Sequence, residues 1–286
     1  MSSVTPAPPA IHKTEECWAS VDGYHMRYLR AGSGPPLLLI HVLLGYSFSW
    51  RFTIPALCDS WTIYAPDLLG TGFSDRPAKL DCSVRASAER MLRFMDEVGL
   101  KSTDLVGTSH GGGVAAMMAA LAPERVRKLV LVAPVNPWSA HGKLVARLLS
   151  TRFSQMAVPP IANAFEFTAR VWLARMYGDP KKIPPGTLEG YRAPFAIDGM
   201  WQYGLGIMGC WHNDLRELEW AYSRIIQPTL LIWGTNDGAV YPSSSKEVQI
   251  RNPDCEGTVM FEGVGHLPYE ECPEDFNEEL RHFLTK

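Results

Sequence analysis

The chain has 286 residues, 46% of them hydrophobic and 20% charged, enough to bury a sizeable core in one large domain with an insertion or in two average ones. Lys and Arg total 27 against 30 Asp and Glu, for a net charge of -3, and no basic cluster carries interleaved aromatics, so a nucleic-acid partner is not expected. The longest apolar stretches, Leu37 to Leu44 and Val114 to Ala122, fall far short of a membrane span, so no membrane partner is expected either.

Residues 1–13 read as a flexible arm, and Met1 to Ala10 lack the basic and apolar regions of a signal peptide. From Glu15 to Arg30 the text alternates, and Gly23 between Trp18–Val21 and Tyr24–Tyr28 predicts a hairpin. Leu37–Val42 is an unbroken apolar run, which suits a strand buried on both faces of a parallel sheet. Another such strand, Trp61–Ala65, leads into Pro66-Asp-Leu-Leu-Gly-Thr-Gly-Phe-Ser-Asp-Arg-Pro77, a loop too rich in Gly and Asp for regular structure. Asp67 and Asp75 are expected there as turn residues. Ser83 to Leu100 predicts an amphipathic helix with Val84, Ala88, Met91, Leu92, Met95 and Val98 on one face.

The stretch Asp104-Leu-Val-Gly-Thr-Ser-His-Gly-Gly-Gly113 then joins a short apolar run to an Ala- and Met-rich one. That is strand, tight turn and helix, with Ser109 at the apex and glycines at 107 and 111, where the turn leaves no room for side chains. The turn exposes the serine hydroxyl and aims the free N–H groups of the next helix at the same place. On its own, G-x-S-x-G also recurs by chance.

Val130–Ala133 reads as a further buried strand. From Asn136 to Ser223 the pattern is helical and rich in large residues, among them Met156, Phe165, Phe167, Trp172, Tyr191, Tyr203 and Trp211, and it predicts an inserted cap. The chain therefore divides into a first core part at 1–135, a helical cap at 136–223 and a second core part at 224–286. Tyr191 and Trp211 are candidate ligand contacts within the cap. Strand text resumes at Thr229–Trp233, which ends in Gly234-Thr-Asn-Asp-Gly238, and again at Thr258–Phe261, which ends in Glu262-Gly-Val-Gly-His-Leu-Pro268. The last helix has Pro273 at its start, and Glu270, Glu271, Glu274 and Asp275 read as its solvated beginning. Six scattered cysteines without a C-x-x-C pair suggest free thiols in a cytoplasmic protein and no metal site.

Alternating strands and helices predict an α/β, mostly parallel, doubly wound sheet, which binds ligands at the carboxyl ends of its strands. Ser109, Asp237 and His266 all fall at such ends, in the order nucleophile, acid, histidine. With the 107–111 turn, the Pro66–Asp75 loop, Gly234–Asp237 and Gly265-His266, the chain resembles the α/β-hydrolase family over essentially its whole length, in its capped serine-esterase-like branch. Ser109 in place of an aspartate points away from epoxide-hydrolase and dehalogenase chemistry.

A serine hydroxyl needs an adjacent base, and His266 is expected to take its proton and later return it to the leaving alcohol. Asp237 is expected to orient the imidazole and stabilise its charged form. The oxyanion needs two backbone N–H groups, one from His110 and, by resemblance, one from Leu43. No cofactor is implied, and the expected partner is a small ester with an apolar acyl or alcohol group; oligomeric state is left open. The same triad could serve perhydrolysis, carbon–carbon hydrolysis or hydroxynitrile-lyase chemistry. The family's usual His-Gly reads His41-Val42 here. A β-branched residue at a place that favours glycine could misorient the Leu43 N–H, leaving a ligand-binding protein weakened in catalysis. His41 itself is expected to hold its loop by hydrogen bonds.

Overall fold

The computed structural model describes residues 7–139, 148–149, 151, 154 and 166–286, so Met156 and Phe165, expected in the cap, lie outside the described residues. An eight-stranded sheet forms the centre, in the order β1-β2-β4-β3-β5-β6-β7-β8. The strands are β1 Glu15–Val21, β2 Tyr24–Ala31, β3 Pro36–Ile40, β4 Thr62–Pro66, β5 Thr103–Thr108, β6 Val126–Val132, β7 Thr229–Gly234 and β8 Cys255–Phe261. The β1–β2 hairpin and the β2–β4 pair are antiparallel, and all later pairs are parallel.

The unbroken apolar runs are explained by burial on both faces. Leu38, Ile40, Leu105, Leu131 and Leu231 pack on one side with Met91 and Phe94 of α2 (Val84–Glu97) and Met117 and Met118 of α3 (His110–Leu121). Leu37, Leu39, Val106, Val130 and Ile232 pack on the other, with Ile54 of α1 (Thr53–Leu57) and Phe276, Leu280 and Phe283 of the C-terminal helix Pro273–Thr285. The period of two along each strand sends successive side chains to opposite layers, and both layers are apolar.

The described helices between β6 and β7 are α4 Glu166–Met176, α5 Thr187–Arg192 and α6 Met200–Tyr222, within the interval that reads as an insertion. Helix α6 packs on α2 and α3. It also helps to begin α2: Ser83 accepts from the Ala86 N–H, as a helix cap should, and Asp214 Oδ1 of α6 accepts the Val84 N–H at 3.1 Å. After β7 come α7 (Ser245–Arg251) and, after β8, α8 (Pro268–Glu271) and α9, the C-terminal helix Pro273–Thr285. Leu105 is fully buried between layers, so Leu105→Ala is expected to cost roughly 2–5 kcal/mol of unfolding free energy in urea denaturation.

Candidate active site

The carboxyl ends of β5, β7 and β8 lie on one edge of the sheet, and each delivers one of the expected residues. Ser109 follows β5 directly with φ 54° and ψ -120°, a backbone conformation that a serine resists. Its N–H donates to the Val132 carbonyl at 2.9 Å, and its own carbonyl accepts from Gly113 at 3.1 Å and Val135 at 2.9 Å. Those bonds clamp the elbow between β6 and α3. A side chain on Gly111 would run into the carbonyl oxygens of Ile40 and His41, so glycine is what lets the start of α3 lie against the end of β3.

Asp237 follows β7 and is 3% exposed. Its Oδ1 accepts from the N–H groups of Ala239 at 2.7 Å and Val240 at 2.9 Å, and its Oδ2 lies 2.7 Å from His266 Nδ1. The residue thus serves its turn with one oxygen and the histidine with the other. A carboxylate facing Nδ1 keeps the proton there and leaves Nε2 as the acceptor a general base requires. Among the described residues no hydrogen bond joins Ser109 to His266; such bonds are often long before substrate binds.

Leu43 lies in the loop after β3, and His110 directly follows Ser109. His110 opens α3, where its N–H has no carbonyl partner within the helix. The loop carrying Leu43 is built differently from the sequence expectation. Among the described non-glycine residues, positive φ occurs at Leu44 (56°) and not at Val42. The Val42 carbonyl accepts from Gly45 N at 2.9 Å and from His41 Nδ1 at 2.8 Å, and His41 Nε2 accepts the Leu68 N–H at 3.1 Å. The bond from Gly45 to Val42 closes a four-residue turn with a left-handed leucine at its third position, where glycine is favoured. The strain sits one residue beyond Leu43, and Val42 fills buried space over Gly45, whose missing Cβ would lie 2.7 Å from Val42 Cγ1.

Both nearby histidines stay neutral. Burial depresses His41, and burial together with His41 and Arg90 holds His110 at about 3, with its Nε2 buried and unpartnered. Asp67 and Asp75 are structural, as expected. Asp67 accepts from Ser47 N at 2.8 Å, Phe73 N at 3.0 Å and Arg27 at 3.1 Å, and Asp75 accepts the His25 N–H at 2.8 Å. Among the described residues no group of three or more His, Cys, Asp or Glu could hold a metal.

One expectation needs correction. Glu270 and Glu271 are not a solvated helix start; they are 2% and 7% exposed. Glu270 receives Arg51 in a fork at 2.8 and 2.9 Å, the Tyr177 hydroxyl at 2.5 Å and the Tyr191 hydroxyl. Tyr191 anchors the inserted helices to the core; its hydroxyl also reaches Ser49 at 3.1 Å. Acids at a helix start look solvated until a second layer is known to dock over them. Trp211 packs with Cys82, which precedes α2, and with Tyr203 and Ile207 of α6, in a cluster that also takes the Leu43 side chain.

A family model described as the alpha/beta hydrolase fold matches residues 35–273. The chain is 30% identical over 271 residues to the dihydrolipoyllysine-residue acetyltransferase component of the acetoin cleaving system of Cupriavidus necator, covering 93% of this chain and 68% of that protein. It is 29% identical over 250 residues to haloalkane dehalogenase 2 of Mycobacterium tuberculosis, covering 82% and 83%. The crystal structure of a membrane phospholipase A, a bacterial virulence factor, aligns with a TM-score of 0.79 at 26% identity, over 96% of this chain and 86% of that one.

Removing the Val42 side chain loses buried area and adds backbone freedom, so Val42→Gly should lower stability by roughly 2–3 kcal/mol in urea denaturation. Because the folded pKa of His110 is depressed, the unfolded chain binds protons first as pH falls below about 6.5. Its contribution to stability is complete above that pH and is lost towards pH 3. Denaturation at pH 7 and pH 4.5 should therefore show a smaller loss in His110→Gln than in the unaltered protein.

Proposed function

The chain belongs to the α/β-hydrolase fold family, and we propose that within it the protein is a serine hydrolase of carboxylic esters, working through an acyl-enzyme. The observation that carries this reading is the buried Asp237–His266 pair, 2.7 Å apart, on the sheet edge where Ser109 stands in a strained elbow. Ser109 attacks the ester carbonyl while His266 Nε2 takes its proton; Asp237 stabilises the resulting imidazolium. The N–H groups of His110 and Leu43 receive the oxyanion, each worth roughly 2.7–4 kcal/mol in the transition state. His266 then protonates the leaving alcohol, and water repeats the sequence on the acyl-enzyme.

An ester with an apolar acyl or alcohol group is supported by the surroundings of Leu43, whose side chain joins Cys82, Tyr203, Ile207 and Trp211. The 26% identical phospholipase structure is in keeping with ester chemistry, whereas a serine at position 109 argues against the dehalogenase reaction of the other relative. We read the insertion, residues 136–223, as a cap over this site. The six free cysteines support a reducing, cytoplasmic setting. Among the described residues no helix is long and apolar enough to cross a membrane.

Ser109→Ala is expected to abolish hydrolysis of short aryl esters and labelling by a fluorophosphonate, by at least about a thousandfold. Full activity in that variant would end the reading. Faster turnover of diketones or cyanohydrins than of esters by the unaltered protein would replace it with another use of the same triad.

A further inference from the structure

His266 ends a loop that is held from two sides. From the sheet, the Asn236 N–H donates to the Val264 carbonyl at 2.9 Å, and Thr235 Oγ1 accepts the Gly263 N–H at 2.9 Å. From the inserted helices, the Met176 carbonyl at the end of α4 accepts the His266 N–H at 2.7 Å. One buried carboxylate completes this second side. Glu271 Oε2 accepts the N–H of Gly265, immediately before the histidine, at 2.8 Å, and the N–H of Gly178 at 2.8 Å. Its Oε1 accepts the Asp179 N–H at 2.9 Å. The two backbones are in direct contact there: a Cβ on Gly178 would lie 2.8 Å from Gly265 N.

We propose that Glu271 is a positioning residue for the general base, joining the His266 loop to the Gly178–Asp179 segment and fixing the imidazole from the side of the inserted helices. The proposal rests on the serine-hydrolase reading. Glu271 has no chemical step in that reaction; its carboxylate is spent on three backbone donors. Buried hydrogen bonds to a charged acceptor are strong, and breaking one leaves the carboxylate unsatisfied, so the loop and the α4 end move together or not at all. His266 Nδ1 must stay 2.7 Å from Asp237 while Nε2 faces the serine, and a shift of about an ångström at such a group costs roughly a hundredfold in rate. Glu270, one residue earlier, holds the same inserted segment through Tyr177 and Tyr191, so the junction is fixed on both sides of the histidine loop.

The test uses the full chain with Glu271→Ala, Glu271→Gln and, as a control on the exposed start of α9, Glu274→Ala. On a short aryl ester, Glu271→Ala is expected to lose about 10- to 100-fold in kcat with KM changed by less than about threefold. Glu271→Gln, which keeps one acceptor oxygen, should fall between it and the unaltered protein, and Glu274→Ala should not change. Proton NMR supplies a readout independent of turnover. The downfield His266 Nδ1 proton, expected in the unaltered protein and in Ser109→Ala, should broaden or vanish in Glu271→Ala. An unchanged kcat or an unchanged resonance in folded Glu271→Ala would overturn the proposal, as would a loss confined to KM. If that variant does not fold, the same measurements on Glu271→Gln decide it. Activity surviving in Ser109→Ala would overturn the serine-hydrolase reading instead, while the resonance still tests Glu271.

Discussion

The structure depends on one backbone constraint, the left-handed conformation of Ser109 between β5 and α3. A non-glycine residue there costs on the order of 1–3 kcal/mol and persists only where its surroundings leave no alternative. Here β6 holds the Ser109 N–H through Val132, and α3 is buried along almost all of its length. The glycine at 111 lets that helix close onto the end of β3. The elbow therefore needs the whole parallel sheet, and the sheet's apolar layers supply the energy that holds the strain.

The same closeness sets the loop after β3. Because Gly111 brings α3 against Ile40 and His41, the loop from Val42 to Gly45 must turn sharply at once. His41 makes that possible as a neutral ring: buried, it donates to the Val42 carbonyl and accepts from Leu68. The left-handed position falls on Leu44, whose side chain lies against Gly204 of α6. The inserted helix thus shares in fixing a turn of the core, and the packing of Leu44 offsets part of its backbone strain.

On the β8 side the inserted helices hold the His266 loop. Glu270 is buried, but Arg51 and two phenols satisfy both of its oxygens, which offsets the desolvation of the charge. Burial and that carboxylate push the Tyr177 and Tyr191 phenols well above their ordinary range, so both remain donors. Removing either charge would strand the other in an apolar layer. Around Glu270 and Glu271 the described part of the insertion and the core are consequently one packed unit.

The amino-acid sequence by itself determined the local chemistry. Buried strands announced themselves as unbroken apolar runs, α2 by its apolar face, and the elbow by glycines flanking Ser109. Asp237 and His266 were legible because each follows a strand in a short glycine-rich turn. These signals are local: they arise from the period of one element or the steric needs of one turn. What required the tertiary structure was everything made by two distant segments. Val42 looked like the strained residue because the family text has glycine there, yet strain depends on which position of the turn takes the left-handed conformation, and that is Leu44. Glu270 and Glu271 looked like a solvated helix start, and only the docking of Tyr177, Gly178, Asp179 and Tyr191 shows them buried. A carboxylate's environment is set by what packs over it, and residues some ninety positions away leave no trace in its neighbours along the chain.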